Sequence, residues 1–457
     1  MARFLLPALV LVFCLPPSHA AAQGGRIDES PLYNRLATGA GARAWGMAGA
    51  QIAVPGEGEA ITWNPAAIGT LGRPHLSFSF SGDRLAGDLT PTTYRSPSGQ
   101  RVGLIDIGSI TPTLSHASGR AIDFAAVVFP FNVARRRVVA GLAYDTHLSF
   151  SQQADCAYEF RHDSMYTFNY DYAYSAAGTG GFDSVTFSIA SELSRGLIVG
   201  ANVHRWFNGP SVPATESYNY SVVNVYSWTG TYHEVFTDRV NLDISAFSID
   251  LGALILLGNR FSAGLVYRGG FGADLSYSNT ASYRNDHTGD SFSASLSGAS
   301  VLRMPWTIGA GVALQVSPRL LVAADHVQTR WSRAQIDAYA RTTAQGAAPV
   351  PAIYAFPTMK PVGTIQQSDA GRSAAGAEYA LRLKSWTVPV RAGVFYQQTY
   401  LNDGSPGAWG VAAGAGIRRG HIEVDAAWVR DRASGRYARN SVQTSLGYTF
   451  GEERRQP

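Results

Sequence analysis

A period-two alternation of apolar with small or polar residues constrains this chain more than any other feature. From Trp306 to Val316 one parity reads Trp306, Ile308, Ala310, Val312, Leu314 and Val316, and the other Thr307, Gly309, Gly311, Ala313 and Gln315. Ala374 to Lys384 sets Ala375, Ala377, Tyr379, Leu381 and Leu383 against Gly376, Glu378, Arg382 and Lys384. Val388, Val390, Ala392 and Val394 oppose Arg391 and Gly393; Ile422, Val424, Ala426 and Trp428 oppose Glu423 and Asp425. The last such run sets Val442, Leu446, Tyr448 and Phe450 against Gln443, Ser445, Gly447 and Thr449. Successive side chains of a strand point to opposite faces, so each run is a strand with one apolar face.

Alternation alone also suits a soluble sandwich; the connections decide more. Fourteen segments are readable: 75–83, 121–130, 137–150, 182–194, 196–206, 242–257, 261–273, 304–316, 318–332, 373–384, 387–399, 408–418, 420–432 and 440–450. Short turns at 131–136, Arg195, 258–260, Ser317, 385–386 and Arg419 alternate with long connections at 84–120, 151–181, 207–241, 274–303 and 333–372. Two shorter members, 400–407 and 433–439, complete the long set. Ser194-Arg195-Gly196, Gly258-Asn259-Arg260, Ser317-Pro318-Arg319 and Arg418-Arg419-Gly420 each carry a Gly or Pro suited to a sharp reversal.

Composition narrows the class. Charged residues are only 15%, beside 48 Gly, 9 Trp, 22 Tyr and 21 Phe. The start, MARFLLPALVLVFCLPPSHAAAQ, reads as a secretory signal peptide over residues 1–22. Past it only Cys156 remains, so no intramolecular disulfide forms, and no apolar run is long enough for a transmembrane helix. The net charge of +4 is dispersed, which does not suggest nucleic acid as a partner. These observations predict an all-β membrane protein, a 14-stranded antiparallel transmembrane β-barrel in the Gram-negative outer membrane. An even strand number places both ends on the periplasmic side, and closure removes the edges that lipid does not tolerate.

The barrel is then expected over 74–450, a periplasmic tail over 451–457, and a separate piece over 23–73. That piece is too rich in Gly and Ala for a core of its own, while a fourteen-stranded barrel is too wide for its own side chains to fill. An N-terminal lumenal plug answers both. Gly39, Gly41, Gly46, Gly49 and Ala50 would let its backbone pack closely on the wall, and Asn64-Pro65 would fix a turn.

Gly41-Ala42-Arg43-Ala44, Gly46-Met47 and Gly49-Ala50, followed by Trp63-Asn64-Pro65-Ala66-Ala67-Ile68, resemble the N-terminal signature of the FadL-type outer-membrane transport superfamily. That group holds long-chain fatty acid and aromatic hydrocarbon transporters, with PorV-like relatives. Ala377-Glu378-Tyr379 followed by Pro389-Val390-Arg391-Ala392-Gly393 is similar to a recurrent strand pair there. Two departures stand out. The usual acidic pair before Asn-Pro-Ala is replaced by Glu57 and Glu59 among glycines, and Phe450 is followed by GEERRQP where the family commonly ends on an aromatic.

The resemblance implies passive uptake of hydrophobic small molecules (long-chain fatty acids or aromatic hydrocarbons) through a plugged barrel. It assigns plug or gate roles to Gly41, Arg43, Gly46, Met47, Gly49, Asn64, Pro65 and Ala66. The implied partners are outer-membrane lipid, a hydrophobic ligand and, during biogenesis, the barrel-assembly machinery, with no cofactor and no metal. The PorV-like branch implies an alternative, a scaffold or shuttle in protein export.

Two outer segments, AYEFRHDSMYTFNYDYAYS (157–175) and SYNYSVVNVYSWTGTY (217–232), are unusually aromatic. Met165, Tyr166, Phe168, Tyr226 and Trp228 are candidates for an apolar capture groove. A competing reading makes these segments strand extensions beyond the membrane, with Tyr and Trp in the interfacial girdle. In VPAIYAFPTM (350–359), Phe356 and Met359 are candidates for a lid over the lumen, with packing on a neighbouring loop the alternative. Arg391, Glu378, Arg382, Glu423 and Asp425 face inward and are expected to pair with each other or with Arg43; binding of a fatty-acid carboxylate by Arg391 is the alternative. No Gly-x-Ser-x-Gly, His-Glu-x-x-His, Walker loop or cysteine pair is present, and His204, His233 and His326 are isolated in sequence, so no enzyme is expected.

Overall fold

The computed structural model describes residues 39–87, 106–107, 113–115, 123–134, 136–149, 152–162, 168–179, 181–208, 214–226, 230–286, 289, 291–334, 368–398, 407–433 and 437–451. The expected signal peptide lies outside them, as does the tail beyond residue 451.

Fourteen antiparallel strands form a barrel. They are β1 (His75–Gly87), β2 (Phe124–Val133), β3 (Arg136–Ser149), β4 (Gly181–Ser194), β5 (Leu197–Asn208), β6 (Gly230–Leu257) and β7 (Phe261–Arg268). The second half comprises β8 (Thr307–Ser317), β9 (Leu320–Thr329), β10 (Ala370–Leu383), β11 (Trp386–Gln397), β12 (Ala408–Arg419), β13 (Ile422–Ala433) and β14 (Tyr437–Thr449). Each strand pairs with the next in sequence. The β1–β14 ladder, from His75↔Thr449 to Gly87↔Tyr437, closes the ring.

The alternation read from the sequence is the alternation of faces. On β4, Val185, Phe187 and Ile189 are exposed outward while Ser184, Thr186 and Ser188 are buried inward. Val390 and Val394 on β11 point out, and Arg391 and Phe395 point in. An apolar outer surface interrupted by few charges is what lipid demands.

Short connections join the strands at one end. Gly196, Gly258 and Gly420 adopt φ of 81°, 63° and 56°, the left-handed conformation a tight reversal needs. The remaining turns are less legible, because Ala134 (φ 47°) and Lys384 (φ 50°) hold the same conformation without being glycine. Strand β2 also runs on to Val133, past the expected end at residue 130. Pro130 does not stop it. The β1–β2 ladder ends at Val128, so one edge of β2 beyond that point has no partner, and a residue without an N–H is tolerated.

The long connections are largely strands: over the two aromatic segments this is the strand-extension reading, and over 274–303 it replaces an expected loop. Residues 152–162, 168–179, 214–226, 271–285 and 291–304 are strands. Together with the first half of β6 they extend the sheet beyond the barrel. Strand β6 belongs to both layers: Gly230 to Leu242 pairs with 214–226, and Ser245 to Ile255 pairs with β5. Runs such as Ser217-Tyr218-Asn219-Tyr220-Ser221 alternate without an apolar parity, because a ladder outside the membrane needs hydrogen bonds but no lipid face.

Residues 39–73 lie within the ring. They contain helix α1 (Ala42–Gly46), helix α2 (Ala60–Trp63) and a 3₁₀ helix over Pro65–Thr70. Their hydrogen bonds reach β14 through Ser445, β9 through Asp325, β7 through Ser262, β5 through Asn202 and β3 through Arg137. Only a segment inside a closed barrel meets strands on all sides. Apolar packing fills the rest: Ile61 and Ile68 join Phe124, Val128 and Leu254, while Met47 and Val54 join Phe395 and Val429.

Candidate functional site in the barrel lumen

The lumenal segment is made of short helices and sharp reversals, and its composition explains why. Gly41 precedes α1 at φ 104° and Gly49 follows it at φ 80°, conformations that only glycine adopts without strain. Asn64 then does three things. Its Oδ1 accepts the Ala66 N–H at 3.1 Å and caps the 3₁₀ helix, with Pro65 pre-set at the first position. Its Nδ2 donates to Ile52 O at 2.8 Å within the segment and to Ala253 O of β6 at 3.1 Å.

The wall is shaped for the segment as much as the segment for the wall. A Cβ added at Gly376 would stand 2.4 Å from Met47 O, and one at Gly252 would stand 2.1 Å from Asn64 Oδ1. Asp325 of β9 accepts the Gln51 and Ile52 N–H groups at 2.6 and 2.7 Å, and Arg372 of β10 donates to Ala48 O at 2.6 Å. Arg372 also lies over the Trp45 and Phe395 rings.

On the β10–β13 side the contact is ionic. Arg43 forms a two-pronged pair with Glu378, at 2.9 and 3.0 Å, and reaches Glu57 at 2.9 Å. Glu57 also pairs with Arg418 at 2.9 Å, which in turn bonds Glu423. Arg391 bonds Glu378 at 2.6 Å and Asp425 beside it, and its guanidinium is fully covered. Burial acts to lower the Arg43 pKa, but Glu378 and Glu57 outweigh it and hold the guanidinium above its ordinary value. Burial would raise Glu57, yet Arg43 and Arg418 keep it below the usual carboxylate range. Glu59, to which the Ser79 hydroxyl donates at 3.4 Å, is pushed up to about 8 by burial and by the charge of Glu57.

On the β3–β7 side the wall stands off the segment and leaves a cleft of about 60 Å³. Thr62 forms its floor, and His147, His204, Trp206, Asp145, Asp250 and Arg268 form its sides. His147 stacks on Trp206 at 4.1 Å, and Trp206 meets Phe271 at 4.8 Å. His204 bridges Thr186 at 2.7 Å and Asp250 at 3.0 Å. Arg268 donates to Thr62 O at 2.8 Å, which ties the cleft to α2. Space of this size holds a few waters or one polar substituent, and is far smaller than a fatty-acyl chain.

The structure brings the expected plug residues together: Gly41, Arg43, Gly46, Met47, Gly49, Asn64, Pro65 and Ala66 are all described, and all but Arg43 are buried. Arg391 sits between Glu378 and Asp425 instead of opening onto a cavity. Phe168 and Tyr226 are opposed in register on two outer strands. Met165, Tyr166, Trp228, Phe356 and Met359 lie outside the described residues. His204, isolated in sequence, joins His147 in the cleft, whereas His326 bonds Ser373 at 2.8 Å. Sequence reading set glycines such as Gly376 on the parity opposite the apolar face without giving them a role, and it missed Asp325, Arg372, Arg268 and the cleft. A signal for the glycines existed, since they fall on the inward parity of their strands.

Comparison with known proteins gives a family and a fold. Residues 34–406 match the model of the outer membrane protein transport protein family (OMPP1/FadL/TodX). No curated protein matches the chain in sequence. The monoaromatic hydrocarbon channel CymD superposes with a TM-score of 0.52 at 15% identity, over 92% of this chain and 99% of the channel. The toluene transporter TbuX of Ralstonia pickettii gives 0.52 at 14% identity, over 91% of this chain and 99% of its own. A FadL homologue of Pseudomonas aeruginosa gives 0.52 at 16% identity, over 90% and 99%. At such identities the likeness to these structures is one of fold, and nothing in them supports an export scaffold. With the family model spanning most of its length, the chain belongs to the outer membrane protein transport protein family (OMPP1/FadL/TodX), transport proteins of the Gram-negative outer membrane rather than enzymes.

Proposed function

We propose that the chain carries hydrophobic small molecules passively across the outer membrane, with residues 23–73 as its plug. The observation that supports this reading is a closed barrel whose lumen is filled by a short segment held on the wall by hydrogen bonds and ion pairs. Such a lumen passes a ligand only if the segment shifts. Its contacts at Arg43, Met47, Asn64, Pro65 and Ala66, with close approach at Gly41, Gly46 and Gly49, are the gate. The structures of like fold include proteins named as toluene or monoaromatic hydrocarbon channels, which supports aromatic hydrocarbons as cargo, with long-chain fatty acids the other class.

Entry begins at the aromatic outer segments, with Met165, Tyr166, Phe168, Tyr226 and Trp228 as the capture surface and Phe356 and Met359 as a lid. A carboxylate ligand at Arg391 would have to displace Glu378 or Asp425. Insertion by the barrel-assembly machinery would read Phe450 from within the chain. Uptake of labelled toluene and labelled oleate by cells with and without the gene tests the proposal. Faster uptake of either in the presence of the gene is expected, and equal rates for both would sink it.

A further inference from the structure

Asp145 stands apart from every other charged group of the lumen. The residue is only 7% exposed, and its side chain lines the cleft above α2. Among the described residues it accepts no hydrogen bond; His147 Nδ1 lies 3.6 Å from it, beyond hydrogen-bond reach. The other cleft groups are served: His147 Nε2 by Ser184 at 2.8 Å, His204 on both ring nitrogens, Asp250 by His204. The indole N–H of Trp206 is likewise taken, by Ser248 at 2.8 Å. A carboxyl group left without donors in a nearly buried site either holds a proton or is served by a partner from outside the protein, and a ligand that donates to it favours the second.

The surroundings say what kind of partner. The His147–Trp206–Phe271 stack offers flat π surface beside the carboxylate. Asp123 and Asp183 act on Asp145 with like charge and only Arg268 with opposite charge, so the site disfavours an anion. At about 60 Å³ the cleft takes a polar substituent with the edge of its ring, and no acyl chain.

We propose that this cleft is a polar subsite for an aromatic molecule carrying a hydrogen-bond donor on or next to its ring, with Asp145 as the acceptor. The inference rests on the reading of the chain as a channel for hydrophobic compounds and narrows its substrate class: a bare hydrocarbon leaves Asp145 unserved, and an arene carboxylate is repelled. A site built to receive a donor discriminates strongly against an analogue lacking it. The donor is either a neutral hydroxyl or a cationic ammonium.

Equilibrium dialysis of labelled phenol, benzylamine, toluene and benzoate against the purified full-length protein in detergent tests this directly. Asp145→Ala is expected to weaken phenol or benzylamine binding by about tenfold or more while leaving toluene unchanged. Asp145→Asn keeps the shape and an acceptor oxygen but removes the charge, so a large loss is expected for benzylamine and a small one for phenol; which of the two the wild type binds more tightly identifies the ligand. If Asp145→Ala does not fold, judged by loss of the heat-modifiable band on electrophoresis, Asp145→Asn with benzylamine carries the test, expected to weaken that ligand with toluene unchanged. Equal binding of phenol, benzylamine and toluene by wild type, or tightest binding of benzoate, overturns the proposal and leaves the carboxylate to water. Asp145-dependent binding without any uptake by cells would refute the channel reading alone, and uptake of toluene with no Asp145 effect would refute the subsite alone.

Discussion

The lumenal segment is held differently on its two sides. Against β10–β13, Arg43 and Glu57 are each paired more than once, and Arg391 beneath them is fully covered. Against β3–β7 the hydrogen bonds are dispersed along the segment: Asn202 and Arg268 donate to carbonyls of α2, Ser262 and Arg137 to those of Ala53 and Gly69, and beside α2 the wall opens into a cleft. A covered ion network is rigid, because removing one member leaves others charged and dry. Dispersed bonds beside a cleft large enough for water exchange for water more readily. The first side therefore fixes the segment, and the second is where it yields.

The strongest attack on this contrast is Arg391→Met. It leaves Glu378 and Asp425 buried without their shared cation, at a cost of about 3–5 kcal/mol. Hydrogen exchange of residues 39–50 should accelerate by at least about a hundredfold, and unchanged protection would show that the ionic side is not the anchor. Gly252→Ala probes the opposite end of the segment. Its methyl would overlap Asn64 Oδ1, so about 2–3 kcal/mol is expected, with exchange rising over 60–70 and not over 42–46. Rising protection loss over both stretches would mean that the segment moves as one body and that the two sides are not independent.

Arg268→Gln removes the charged donor to Thr62 O, for about 2 kcal/mol. It should loosen α2 and raise the rate of ligand uptake; a slower rate would place Arg268 in ligand binding instead. The smallest effect is expected from pH. Burial raises the Glu59 carboxyl from 4.5 to about 8, so its contribution to seating is fully present below about 4.5 and is lost as pH rises through about 8. From pH 7 to pH 9 the unseated population should grow about tenfold, about 1.4 kcal/mol, and Glu59→Gln should flatten the profile. A profile unchanged by that substitution would assign the dependence to another group.

Much of the barrel was legible because its signals are local. Lipid on one side and a filled lumen on the other impose period two, so all fourteen strands can be found without knowing any partner. Turns that use glycine were equally plain, and those that use Ala134 and Lys384 were not, since neither residue announces a left-handed backbone. Of the outer strands, those over 152–162, 168–179 and 214–226 agree with the reading of 157–175 and 217–232 as strand extensions, whereas 271–285 and 291–304 escaped because nothing there requires an apolar face. That Arg43, Met47 and Asn64 belong to one segment was legible from the signature they share, yet not their partners in the lumen.

The sequence by itself determined the class, the number and direction of strands, and a small-residue segment in need of a host. Only the tertiary structure decided that Arg43 meets Glu378, that Gly252 yields space to Asn64, and that His147, His204 and Asp145 share one cleft. The physical reason is range. Alternation, turns and caps are set by neighbours along the chain, whereas a lumenal contact depends on which strands closure brings to the same height on the inner wall. Register around a ring of fourteen strands decides that, and no residue carries it alone.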